Sequence, residues 1–328
     1  MAVAAVVAVA LVAAALALWK LREVLALIFL GVTLAAAIRS GVERLARWGI
    51  PRPVGVVAHY AAVLGVIVLF LWLALPAAIR QINHAVDASS QARAGNGLED
   101  RLLVALQREL HRLPQAHDLL HPAVTASTIA FEVLISALFT FAVATYWVFE
   151  RDRAVRFVTS LLPMPKRPVA RTTWLLIDRR LGSYVRGVLF LVVLVSAVLS
   201  LMFWALGVPY WLLLGPFAGV IEILPVIGPL IAVVTATAVA LSVSWELAVK
   251  TALAFYAFRL LQDYVINPRV LGGAVELSPL IILVAVSSVG ILLGPALVPL
   301  ATPLAAVLAT LVDVAVRGRD PVADSMSA

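Results

Sequence analysis

The stretch Gly219-Val220-Ile221-Glu222-Ile223-Leu224-Pro225-Val226-Ile227-Gly228-Pro229-Leu230 sets a carboxylate and a Pro-Val-Ile-Gly-Pro interruption into an otherwise apolar run. Proline brings no backbone N–H and glycine accepts positive φ, so a helix loses partners for its carbonyls and amides here. Hydrocarbon cannot solvate such groups. At membrane depth, irregular backbone persists only where it is buried in protein or lines a wet cavity. Discontinuous helices of this kind hold ions and polar solutes in secondary transporters. Glu222 lies one turn before the break, where a charge costs about 2.5–3.5 kcal/mol on insertion scales, so it is expected to face the bundle interior with a partner. Glu222, Pro225, Gly228 and Pro229 are therefore candidate substrate- or ion-binding positions. The plainer alternative is a proline kink with no solute.

The rest of the chain supports a membrane setting. Of 328 residues, 63% are hydrophobic and 13% charged, against about 45–50% and about 25% in soluble domains. Mean hydropathy is +1.05. Too few polar residues remain to cover a soluble surface, which excludes a cytosolic enzyme, a disordered chain and a nucleic-acid-binding module. The isoelectric point near 10.2 reflects cations placed beside apolar spans. With no cysteine, disulfides, thiolate zinc sites and redox pairs are unavailable.

Apolar runs cover 1–19, 24–38, 53–79, 122–149, 187–221, 223–245 and 277–312. The run 187–221 has 35 residues, about 52 Å of helix against a core about 30 Å thick. It must turn, and Gly207-Val208-Pro209-Tyr210 is the place for it. The run 277–312 must break likewise, at its Gly and Pro residues. The fold expected is all-α, with about eight transmembrane helices, some broken in the C-terminal half. The first run lacks a basic leader and reads as a retained helix rather than a secretory signal.

Lys/Arg excess in short loops sets orientation. Arg39, Arg44, Arg47 and Arg52 oppose Glu43, and segment 150–186 carries nine cations against three acids. Both are expected to face the cytoplasm, with Lys20 and Arg22 awkwardly outside. The chain then divides into N-terminal spans (1–79), an amphipathic extracytoplasmic segment (80–121), a span (122–149), basic cytoplasmic interfacial helices (150–186), a C-terminal transport region with broken helices (187–316) and a cytoplasmic tail (317–328). The chain is thus a multi-pass protein with both termini expected in the cytoplasm.

Three further motifs carry polar chemistry. A broken-helix echo occurs at Gly290, Gly294 and Pro303. Arg259 and Asp263, four apart, share a helix face and can neutralise each other; Gln262 and Asn267 extend the polar group to Pro268, which ends or kinks the helix. Gln262, Asp263, Asn267 and Pro268 are candidate binding positions, and Arg259 with Arg186 a gating or counter-charge pair. Structural ion pairing and snorkelling are the plain alternatives. His111, His117 and His121 fit a solvated loop better than a metal site, and no metal or cofactor is implied. Glu132 is expected as a hydrogen-bonding partner within its span. Gly-x-x-x-x-Gly-Lys-Ser/Thr, His-Glu-x-x-His and Gly-x-Ser-x-Gly motifs are absent, which argues against an enzyme of those classes.

The runs Tyr184-Val185-Arg186-Gly187, Leu206-Gly207-Val208-Pro209-Tyr210, Ile223-Leu224-Pro225-Val226-Ile227-Gly228-Pro229, Asn267-Pro268-Arg269-Val270-Leu271-Gly272 and Leu277-Ser278-Pro279 resemble, in order and spacing, the autoinducer-2 exporter family of bacterial permeases. The likeness covers about residues 20–313. It implies an inner-membrane permease that forms a homo-oligomer, a pentamer being one form. It also implies secondary transport: export of a small polar signalling molecule, or cation/proton exchange. The expected partners are the lipid bilayer, a small polar solute, a coupling proton or sodium, and other copies of the chain, with no nucleic acid. A passive oligomeric pore or scaffold is the reading from another class.

Overall fold

The computed structural model describes residues 2–62, 65, 72, 120–271 and 277–316. The chain forms two units, 1–63 with 139–328, and 64–138. The described part of the second is essentially the first half of one helix, on which Glu132 is exposed. Nearly all of the amphipathic segment expected over 80–121, with His111 and His117, lies outside the described residues. The packed core belongs to the first unit.

Among the described residues every regular element is helical. In chain order they are α1 (Ala2–Lys20), α2 (Arg22–Arg47), α3 (52–62), α4 (Leu120–Ser160), α5 (Arg167–Leu206), α6 (Trp211–Ile221), α7 (Ile227–Leu241), α8 (Trp245–Leu261), α9 (Asn267–Leu271), α10 (Pro279–Leu293) and α11 (Ala301–Ala315). A π-helical turn, Gln262–Ile266, joins α8 to α9, and 3-10 turns precede α5 and α11. Four stretches are long and apolar enough to cross a membrane: Arg22–Arg47, Phe131–Ser160, Met164–Leu206 and Pro295–Ala315. Four shorter apolar helices accompany them, at Val9–Lys20, Trp211–Ile221, Ile227–Leu241 and Leu280–Leu293. The protein is an all-α, polytopic membrane protein.

Both overlong runs are broken. At the end of α5, Gly207 adopts φ 75° and Tyr210 φ 64°, and the Val208 N–H bonds the Phe203 carbonyl at 2.9 Å, a left-handed helix stop. In the last run the break falls at Gly294, with φ 94° and ψ 162°, backbone open to glycine alone. Gly290 instead lies inside α10, and Pro303 is buried in the first turn of α11. Ser278 accepts the Ile281 N–H at 3.4 Å and Pro279 occupies the first turn, so Ser278-Pro279 is a helix start. Helices α4 and α5 run from the apolar spans through 149/150 and 186/187 into the basic segment without a break. At 41 and 40 residues, each is about 60 Å long, twice the hydrocarbon core.

The core around the site comes from close backbone approach. A Cβ on Gly215 would strike the Ser200 backbone, and one on Gly219 the Val192 carbonyl and Ser196. The rising numbers on α6 meet falling numbers on α5, so the two helices are antiparallel. Small residues four apart are the usual device for such contacts in membranes, where apolar bulk gives no preference for helix over lipid. On α7, Gly228, Ala232, Ala236 and Ala240 make a buried small-residue stripe. Phe203 of α5 stacks on Phe255 of α8 at 6.5 Å between centroids and fills the space beside it.

A second polar knot lies on α2, α4 and α5. Arg151, whose side chain is 7% exposed, pairs with Asp178 at 3.0 Å, and Arg39 reaches the same carboxylate at 3.7 Å while bonding Glu43 at 2.6 Å.

Candidate functional site

The site is assembled from two helix interruptions. The first is the α6–α7 turn. The Ile227 N–H bonds the Pro225 carbonyl at 2.8 Å, two residues back, and Val226 between them has φ 68° and ψ −50°. This is the rare form of the γ-turn, strained for any L-residue and more so for a β-branched one. Gly228 follows, packed on the Ile221 carbonyl and the Glu222 backbone so closely that no Cβ fits. The chain thus needs Pro225 to start the turn and Gly228 to close it, with Glu222 fixed on its approach.

The second interruption is the π-turn Gln262–Ile266. The Asn267 N–H bonds the Gln262 carbonyl, five residues back. Pro268 has no N–H, and its ring would press on the Tyr264 carbonyl in a regular helix; widening the preceding turn relieves that pressure. Pro268 was expected to end or kink the helix. Instead the chain continues helically to Leu271. π-turns bring side chains onto a face where regular helix would not place them, and they concentrate at functional sites.

The two interruptions meet. Arg259 donates through Nη1 to Glu222 Oε1 at 2.6 Å, and Gln262 donates through Nε2 to the same oxygen at 2.7 Å. Arg259 Nε bonds Asp263 Oδ2 at 2.9 Å, and Asn267 Nδ2 donates to Asp263 Oδ1 at 3.1 Å. Glu222 is 15% exposed and Arg259 28%, and Gln262 is buried. A carboxylate this enclosed needs the opposite charge and a second donor to remain at this depth, and both are supplied from one helix.

The network borders a cavity of about 390 Å³, within the span of small-molecule sites, about 300–1,000 Å³. Its polar wall is Glu222, Arg259, Asp263, Asn267, Tyr184 and Thr302; Pro225, Val226 and Pro229 close one side. Tyr184 is hydrogen-bonded to Thr302. The Asn267 Oδ1 is buried without a hydrogen-bond partner among the described residues. Two carboxylates face one guanidinium, which they both engage, so the cavity presents hydrogen-bond acceptors in excess.

The sequence-derived positions separate into three groups. Glu222, Pro225, Pro229, Arg259, Asp263 and Asn267 line the cavity. Gln262 and Gly228 stand behind it, holding Glu222 by hydrogen bond and by close packing. The others lie elsewhere: Arg186 donates to the Ala37 carbonyl at 3.4 Å, Pro268 is exposed, and Gly290, Gly294 and Pro303 only shape the neighbouring break. That break contributes Thr302 and, with α10, Ile282 to the lining. Tyr184 and Thr302 escaped the sequence reading. For Tyr184 a signal existed: 184, 188, 191 and 192 form one helical stripe, which becomes the α5 wall of the cavity. Among the described residues no group of three His, Asp or Glu could hold a metal.

Comparison with known proteins agrees with this architecture. Residues 7–317 match the family described as "AI-2E family transporter". A 132-residue stretch is 30% identical to the "Putative transport protein YrrI" of Bacillus subtilis (strain 168). That match takes in 40% of this chain and 37% of the relative, so it spans well under half of either. The family match covers nearly the whole chain, and the protein belongs to the AI-2E transporter family.

Proposed function

We propose that this protein is a secondary transporter of a small polar solute, and that the cavity beside Glu222 is its solute site. One observation carries the reading: two independent interruptions, a strained γ-turn and a π-turn, converge on one charged, partly enclosed cavity. A packing kink would need neither a buried carboxylate nor a second interruption opposite it. In this reading α6 and α7 form a re-entrant hairpin. The 11 residues of α6 reach about 16 Å, half of a core about 30 Å thick, which puts Glu222 at its tip near mid-membrane. Binding at the midplane between discontinuous helices is how alternating access exposes one site to both sides in turn. The excess of acceptors suits a hydroxylated solute. It also supports a second reading, cation/proton exchange at Glu222 and Asp263.

Flux into proteoliposomes, with and without imposed pH and sodium gradients, tests both. Glu222→Gln is expected to lose at least ten-fold in transport while the protein still assembles. Gradient-driven cation flux without organic solute selects the exchange reading. Full activity of Glu222→Gln, or flux that never saturates and needs no gradient, overturns the assignment of the site.

A further inference from the structure

The lining of the cavity beside Glu222 is of two kinds. Glu222, Arg259 and Asp263 are its charged residues, while Val188, Leu191 and Val192 of α5 and Ile282 of α10 are apolar. The charges do not balance, because two carboxylates share one guanidinium, whose Nε serves Asp263 and whose Nη1 serves Glu222. Both described donors to Glu222 use Oε1, which leaves Oε2 open to an occupant. The two carboxylate side chains keep accessible surface, 15% for Glu222 and 42% for Asp263. In an enclosed apolar setting an unbalanced charge is costly, and an occupant that brings the missing positive charge removes that cost.

We infer that the solute taken by this cavity is a small organic monocation, an ammonium group on a short apolar body. The inference rests on the solute site proposed above and names the class of its occupant. The ammonium meets Glu222 Oε2 and Asp263, and the apolar body covers the α5 wall. A carboxylate-bearing solute would add a third negative charge to the two already present. A bare sodium ion would leave the α5 wall without a partner. A neutral hydroxylated solute requires a proton on one carboxylate to balance the site, and that alternative is an outcome of the test.

Val226 lines the cavity and is 60% exposed, so Val226→Cys in the cysteine-free chain puts a reactive thiol at the site. The full chain carrying it is treated with iodoacetamide at neutral pH and constant ionic strength. Three probes of one skeleton compete: 3-methylbutylammonium, 3-methylbutan-1-ol and 3-methylbutanoate. The ammonium is expected to slow alkylation saturably, at a concentration about ten-fold or more below that needed by the alcohol, with the carboxylate weakest. Adding Asp263→Asn, which removes the excess charge, should bring the ammonium and the alcohol to equal strength. Adding Val188→Trp, which fills the cavity from α5, should abolish protection by all three. Equal protection by alcohol and ammonium before those changes overturns the monocation and leaves the site itself standing. Protection that survives Val188→Trp places the probes elsewhere and overturns both. Protection by none of the three overturns the monocation, and the site reading is then judged separately by the flux of Glu222→Gln.

Discussion

Glu222 Oε1 accepts from both Arg259 and Gln262, so the stability of the site and its transport chemistry share one atom. Removing Arg259 leaves Glu222 enclosed without a counter-charge, whereas removing both leaves only Asp263, which is exposed and keeps its bond from Asn267. Arg259→Met is therefore expected to destabilise the protein by about 2 kcal/mol or more. The double variant Glu222→Gln/Arg259→Met should recover most of that loss while remaining inactive. Thermal unfolding in detergent alongside vesicle flux checks both, and an active double variant would show the pair to be structural only. Val226 offers a second test. Its φ of 68° stores about 1–3 kcal/mol, of which the greater unfolded-chain freedom of glycine cancels about 0.5–1 kcal/mol. Val226→Gly is expected to raise the unfolding free energy by about 1 kcal/mol. An unchanged or lowered value would mean that the turn is not strained in the folded protein.

Among the helices, the glycines divide by what faces them. Gly215 and Gly219 lie against the backbone of α5, which cannot withdraw. Gly219→Ala should cost about 1–3 kcal/mol by overpacking and separate the α6–α7 hairpin from α5. Gly290, inside α10, has Val298 at an ordinary 3.5 Å from its would-be Cβ. Gly290→Ala is expected to be neutral or stabilising by about 0.5–1 kcal/mol. Parallel unfolding curves of the two variants decide the matter, and equal losses would contradict the antiparallel Gly–Ser packing. The π-turn belongs to this scale too: the sequence shows Pro268 but not that the helix absorbs it by widening, because the choice depends on whether Arg259 and Gln262 gain a partner across the gap.

For the whole molecule, sidedness follows from length. Helix α5 runs from Arg167 to Leu206, about 60 Å, long enough to pass through a core about 30 Å thick with both ends outside it. In the cysteine-free chain, Met164→Cys and Pro209→Cys are expected to react with an impermeant maleimide from opposite sides. Met164→Cys should react from the cytoplasm, in keeping with the Lys/Arg excess around it. Labelling of both from one side would remove α5 as a through-span.

Composition was enough for the all-α membrane class and the Gly and Pro positions for both forced breaks, while isolated polar and Pro residues in apolar sequence marked six of the fifteen residues that line the cavity. These depend on local physics: lipid admits only backbone that bonds to itself, and the residues that prevent this are visible one at a time. The pairing of Glu222 with Arg259, 37 positions apart, was not legible, nor were the entry of Tyr184 and Thr302 into the wall and the exclusion of Arg186. Each depends on which faces of α5, α8 and α11 meet. Contacts between helices are set by packing at a few small residues, and no single segment encodes them.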